Sequence, residues 1–125
     1  FVTVSNATWS AGKVVLLGRA AYTAHFSVGL DLRSSLEDAE ALADALASEA
    51  DTAAALASFE SACRRKAESL QRAAQASLAW FGHVRRTIGL PFEQFVFSLL
   101  TSSMRITYAR IEKATPDLVR AVDAL

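Results

Sequence analysis

The sequence predicts a mainly α fold with a short β element at its N-terminal end and a long central helix. Three observations predict it. Apolar residues from Leu56 to Phe81 recur every three or four positions, which is the repeat of one helix face. A second, shorter stripe begins at Leu32. Only Phe1–Val4 and Lys13–Leu17 carry the alternating or β-branched pattern of strands.

The elements follow in order. Phe1, Val2, Thr3 and Val4 alternate as in a half-buried strand. After the turn-like Trp9-Ser-Ala-Gly12, the run Lys13-Val-Val-Leu-Leu17, closed by Gly18, reads as a strand buried on both faces. Two strands cannot form a stable sheet by themselves. Either part of the sheet is missing or a second copy of the chain supplies neighbours, and the expectation is a homodimer. Asp31 is placed to cap a helix along Leu32, Leu36, Ala39, Leu42 or Ala43, and Leu46. Asp51 or Thr52 caps the long one, whose stripe is Leu56, Phe59, Cys63, Ala67, Leu70, Ala74, Leu78 and Phe81. It lasts about 28 residues, or roughly 42 Å. A break is expected between Gly82 and Pro91, then a helix through Phe92, Phe95, Val96, Leu99 and Leu100. Ile106 to Ile111 forms a separate turn or helix, and Thr115-Pro-Asp117 opens a last short one. The whole chain, 1–125, is read as one domain: a β element over 1–18, a loop over 19–31 and a helical portion over 32–125.

Composition narrows the function. Hydrophobic residues at 52% with only two prolines indicate a folded core rather than disorder. Thirteen basic and thirteen acidic side chains cancel, so neither nucleic acid nor an anionic membrane is an expected partner. No window reaches the roughly 18 apolar residues of a membrane span. One cysteine and two histidines at no ligand spacing give a metal site no support. Phe1 to Trp9 lacks the pattern of a secretory signal, and a cytoplasmic location is the expectation. The chain opens on Phe1 rather than methionine, as a trimmed or excised segment would.

The segment Val14-Val-Leu-Leu-Gly-Arg-Ala-Ala-Tyr-Thr-Ala-His-Phe-Ser-Val-Gly-Leu-Asp-Leu-Arg-Ser-Ser-Leu-Glu-Asp-Ala39 resembles the second flavin motif of the FAD-dependent aromatic hydroxylases. In that family a buried strand ends in Gly-Asp-Ala-Ala-His, a Gly-x-Gly turn follows, and the next helix carries Glu-Asp-Ala. Trp80-Phe81 and Phe95 to Arg105 are similar to the branch acting on indoles and on aminobenzoyl or salicyl thioesters. The resemblance implies that this chain is the helical C-terminal portion of a flavoprotein monooxygenase fold. It also implies that Gly18 precedes the ribityl-binding position and that the turn at Gly29 brings backbone to the isoalloxazine, at a helix N-terminus.

Three positions depart from the family pattern. Arg19 stands where the ribityl-binding aspartate belongs, Asp31 at the second glycine of the turn, and Tyr22 at the usual histidine. The Gly-x-Gly-x-x-Gly that binds the pyrophosphate is not in this chain. The expectation is a flavin-free descendant that holds an indole- or anthranilate-like metabolite and performs a non-oxidative acid–base step in secondary metabolism, such as a cyclisation or a Pictet–Spengler condensation. Its proton-handling candidates are Tyr22, His25, Asp31 and Glu37. Arg19 and Arg33 are candidates for holding a substrate carboxylate, and Trp80, Phe81 and Phe95 for facing its ring. No cofactor is expected unless a missing N-terminal half supplies an FAD site. Two alternatives accompany this reading: a fragment of an FAD-dependent aromatic monooxygenase, and a non-catalytic binding or assembly protein.

Overall fold

A computed structural model describes residues 2–28 and 32–125. The chain divides into two compact units, Phe1–Arg72 and Ala73–Leu125.

In the first unit, strands β1 (Ser10–Ala11) and β2 (Val14–Val15) form an antiparallel hairpin. Ser10 is opposite Val15 and Ala11 opposite Val14. The two-residue turn is Gly12-Lys13, with Gly12 at φ 58°, the left-handed backbone that such turns favour. This corrects the expected strand Lys13–Leu17. Only two of its residues pair, and Val14 is 64% exposed rather than buried on both faces. The described part of Phe1–Val4 is not a strand either. It belongs to an extended segment that meets the loop at one isolated bridge, Ser5 with Tyr22.

Helix α1 spans Leu32–Ser48. Its expected cap, Asp31, lies outside the described residues. Helix α2, Thr52–Gly82, is the long central helix, and the Asp51 Oδ2 accepts a hydrogen bond from the Ala54 amide at 3.1 Å. That bond satisfies one of the donors every helix start leaves open. The buried stripe of α2 is Ala55, Phe59, Cys63, Ala67, Leu70, Ala73, Ala74 and Ser77; it begins at Ala55 rather than the expected Leu56 and stops short of the expected Leu78 and Phe81. Phe81 is 39% exposed. Trp9, Ala21 and Tyr22 pack on the first half of this stripe and complete the core of the first unit.

The extended segment is held by side chains rather than by a sheet. The Arg64 guanidinium donates to the carbonyls of Asn6 (3.1 Å) and Ala7 (2.9 Å) and lies 5.3 Å over the Trp9 ring. The Glu60 Oε2 accepts from the Trp9 amide at 3.0 Å. Gln71 Nε2 donates to the carbonyls of Val4 and Thr23, each at 2.8 Å. Glu60, Arg64 and Gln71 share one side of α2, flanking its apolar stripe, so one helix face both buries Trp9 and ties down the chain around it.

In the second unit the end of α2 is followed by a 3-10 turn at Val84–Arg86, where the break was expected. Helices α3 (Phe92–Thr101), α4 (Tyr108–Ala114) and α5 (Pro116–Asp123) follow. Thr107 caps α4, its hydroxyl accepting from the Arg110 amide, and Pro116 opens α5 at the position where a missing N–H is harmless. Ile111 and Val119 are buried.

Candidate functional site

Strand β2 leads into Gly18, which sits at φ 54° and is buried. A side chain there would meet Ser35 of α1, with Oγ at 2.4 Å and Cβ at 2.9 Å. Glycine is thus required twice, for its backbone conformation and for the close approach of the loop to the first turn of α1.

Tyr22 lies just beyond, 3% exposed, its ring stacked on Trp9 with centroids 5.4 Å apart. Its hydroxyl is directed at Asp38, as are the Cys63 thiol and the Gly18 amide. Asp38 is 1% exposed. Burial holds its carboxyl above the usual carboxylate range, against the opposing pull of these donors and of Lys66. Its Oδ2 has no hydrogen-bond partner among the described residues. Burial, reinforced by the Asp38 charge, raises the Tyr22 phenol well above its ordinary range and pushes the Cys63 thiol up to about 11. Three buried polar groups therefore lock strand end, loop, α1 and α2 together.

The other candidates have structural partners. His25 is buried, with Nδ1 2.8 Å from the Ser27 hydroxyl and its ring 4.2 Å from that of Phe26. Glu37 bonds Arg33, at 2.7 Å, and Lys66. These two cations, Lys66 foremost, hold the Glu37 carboxyl below its usual range. Arg33 is therefore engaged on the surface by Glu37 rather than converging with Tyr22 on a common point. Arg19 is exposed at the rim of a small cavity lined also by Gly18, Tyr22, Thr23, Ser34 and Ser35. Asp31 lies outside the described residues. Trp80, Phe81 and Phe95 come together in the second unit. The Trp80 ring is 5.1 Å from Phe81, edge-on, and 5.8 Å from Phe95, and its Nε1 donates to the Ser98 hydroxyl at 2.7 Å.

The residues that sequence reasoning missed are Trp9, Glu60, Arg64 and Gln71. Trp9 was read as part of a turn. The available signal was the polar spacing 60, 64, 71 beside the apolar stripe of α2. No cluster of metal-ligating side chains exists among the described residues, and no described helix is long and apolar enough to cross a membrane.

The cavity beside Gly18 measures about 10 Å³, room for about one water molecule. Of the loop glycines that the resemblance names, Gly18 is among the described residues, and Gly29 lies outside them. The described residues do not enclose a flavin by themselves, and the exposed Arg19 offers a cation where the resemblance places an acceptor.

No family model matches the chain. It is 43% identical over 108 residues to a 3-hydroxy-4-methyl-anthranilyl-(aryl-carrier protein) 5-monooxygenase of Streptosporangium sibiricum, a match covering 86% of this chain and 30% of that protein. It is also 43% identical over 108 residues to a salicyloyl-CoA 5-hydroxylase of a Streptomyces species, covering 83% and 21%. A protodeoxyviolaceinate monooxygenase of Chromobacterium violaceum is 34% identical over 98 residues, covering 78% and 26%. The chain thus spans less than a third of the length of the relatives it matches.

Proposed function

Because the chain matches a stretch of larger aromatic monooxygenases, we propose that it works as a segment of an aromatic-ring hydroxylase and not as a self-contained catalyst. The observation that carries this reading is 43% identity to two such enzymes across most of the chain. Both are named for an aromatic acyl group held on a carrier, coenzyme A in one and an aryl-carrier protein in the other. The proposed substrate class is therefore an aromatic acid presented on such a carrier.

A flavin, when bound to a hydroxylase of this kind, activates the oxygen. In the proposed role each unit of this chain contributes its own element to the enzyme. Gly18 brings backbone close to the start of α1, and Asp38, Tyr22 and Cys63 keep that junction rigid. The Trp80, Phe81 and Phe95 rings give an aromatic substrate faces and edges to pack on.

The geometry favours this role over a flavin-independent cyclisation. The Tyr22 phenol is raised far from neutrality and directed at Asp38. His25 is bonded to Ser27, and Glu37 to Arg33 and Lys66. A general acid or base needs reach to substrate and a pKa near the working pH, and these groups are engaged elsewhere.

The test is a chimera in which this chain replaces the matched stretch of the Streptomyces salicyloyl-CoA 5-hydroxylase. Hydroxylation of salicyloyl-CoA above the level of the deleted enzyme is the expected result. A chimera that unfolds cooperatively, yet neither retains flavin nor hydroxylates, would remove the reading. Flavin-free condensation of an aromatic amine with an aldehyde by the chain alone would restore the cyclase.

A further inference from the structure

Within the second unit, the end of α2 and one side of α3 are joined by two side-chain bridges. Ser77, 2% exposed, has its Oγ 3.4 Å from the Ser102 Oγ. One turn on, the Trp80 Nε1 donates to the Ser98 Oγ at 2.7 Å. Phe95, Ser98 and Ser102 stand three and four residues apart and share a side of α3, as Ser77, Trp80 and Phe81 do on α2.

The bridge at Trp80 has two consequences. It fixes the indole, whose single N–H can only donate, edge-on to Phe81 and tilted by 53° against Phe95. It also leaves the Ser98 hydroxyl half used. Ser98 accepts from Trp80, and its own O–H has no acceptor among the described residues. Thr101, on the next turn, shows the alternative, since its hydroxyl donates back to the Phe97 carbonyl at 2.9 Å. Trp80, Phe95 and Ser98 are half-buried and Phe81 is exposed, so rings and hydroxyl alike keep surface that a ligand can cover.

We propose that Ser98 is the specificity-determining residue of a site for a hydroxylated aromatic ring. Its oxygen holds the Trp80 indole in place, and its proton goes to the ring oxygen of the ligand. The inference rests on the reading of the chain as a segment of an aromatic-ring hydroxylase and deepens it. Packing on Trp80 and Phe95 accepts any aromatic ring. The Ser98 donor adds a preference for a ring that bears an oxygen, because a ligand without that acceptor covers the hydroxyl and leaves it unpaired. Two of the relatives are named for such rings, a 3-hydroxy-4-methyl-anthranilyl and a salicyloyl group. A phenol oxygen beside a carbonyl suits the donor, since its own proton turns to the carbonyl and a lone pair is left to accept.

The test uses the chain itself, with salicylamide and benzamide as probes that differ by the ring hydroxyl alone. Binding is read from the nuclear magnetic resonance signal of the Trp80 indole N–H, identified by its loss in Trp80→Phe. Salicylamide is expected to shift this signal and to bind at least about fivefold tighter than benzamide, the scale of one neutral hydrogen bond. Ser98→Ala and Ser98→Cys, the latter of similar volume with a weak donor, are expected to erase that preference, and Ser98→Thr to keep it. The Trp9 indole signal, in the first unit, should stay in place in each variant as the check on folding.

Equal binding of the two probes by the wild type, or a Trp80 signal that neither probe moves, would overturn the site. So would a preference that survives in Ser98→Ala and Ser98→Cys, even with both probes bound more weakly, because Ser98 would then act on structure alone. None of these outcomes depends on turnover. An inactive chimera beside a Ser98-dependent preference would remove the hydroxylase reading and leave a binding site for hydroxylated aromatic rings.

Discussion

Replacing Gly18 with alanine separates the two reasons for glycine at the end of β2. At φ 54° an alanine incurs about 1 kcal/mol of backbone strain. Its Cβ would also stand 2.4 Å from the Ser35 Oγ and 2.9 Å from the Ser35 Cβ, an overpacking that costs a further 1–3 kcal/mol or so. The expected loss is about 2–4 kcal/mol. Gly12 supplies the control, because it has a similar φ, 58°, but nothing within 4 Å of a Cβ. Gly12→Ala should therefore lose only the backbone part, about 1 kcal/mol. Urea unfolding of both variants measures the difference. A double-mutant cycle of Gly18→Ala with Ser35→Gly should show a favourable coupling of about 1–2 kcal/mol, since residues in contact do not add. Equal losses at Gly18 and Gly12, or no coupling to Ser35, would refute the claim that the loop packs directly on the start of α1.

Asp38→Asn keeps an acceptor for Tyr22 and removes a buried charge. Burial raises the Asp38 pKa in the folded chain, so its stability contribution is full below the usual carboxylate range and is lost as pH rises through the folded value. Unfolding measured across that range should find wild type losing ground to Asp38→Asn as pH increases, and a constant difference would contradict the burial. Cys63, with its thiol pushed up to about 11, should resist alkylation at mildly alkaline pH and react promptly once urea exposes it. Arg64→Ala removes two bonds to carbonyls, the ion pair with Glu60 and the contact with Trp9. A loss of about 1–3 kcal/mol is expected, with faster exchange of the Asn6 and Thr23 amides, and unchanged exchange there would show that Gln71 holds the segment without Arg64.

The helices were legible because their signals are local. Apolar spacing set α1 and α2, Asp51 marked the start of α2, and Pro91 and Pro116 marked those of α3 and α5. The strands were not. The β-branched run at Val14 looks buried in sequence, but burial depends on neighbouring strands that the described chain does not contain. The candidate site was legible as a segment and not as chemistry. Gly18 was identified from the family pattern, and its close approach to Ser35 accounts for it physically. Tyr22 and Glu37 could be singled out as titratable, yet whether a phenol meets substrate or a buried aspartate depends on contacts between distant segments. Asp38 and Cys63 lie 25 positions apart and meet only when α1 packs on α2. Trp9 escaped notice for the same reason, its partners Glu60 and Arg64 being more than 50 residues away.

Turnover of salicyloyl-CoA, followed by mass spectrometry for the gain of one oxygen atom, tests the central claim most directly when run on the chain alone and on the chain joined to the rest of the Streptomyces hydroxylase. The expected result is no product from the chain alone and hydroxylated thioester from the joined protein. Oxygen-independent conversion of an aromatic metabolite by the chain alone, with a folded but inactive joined protein, would contradict it.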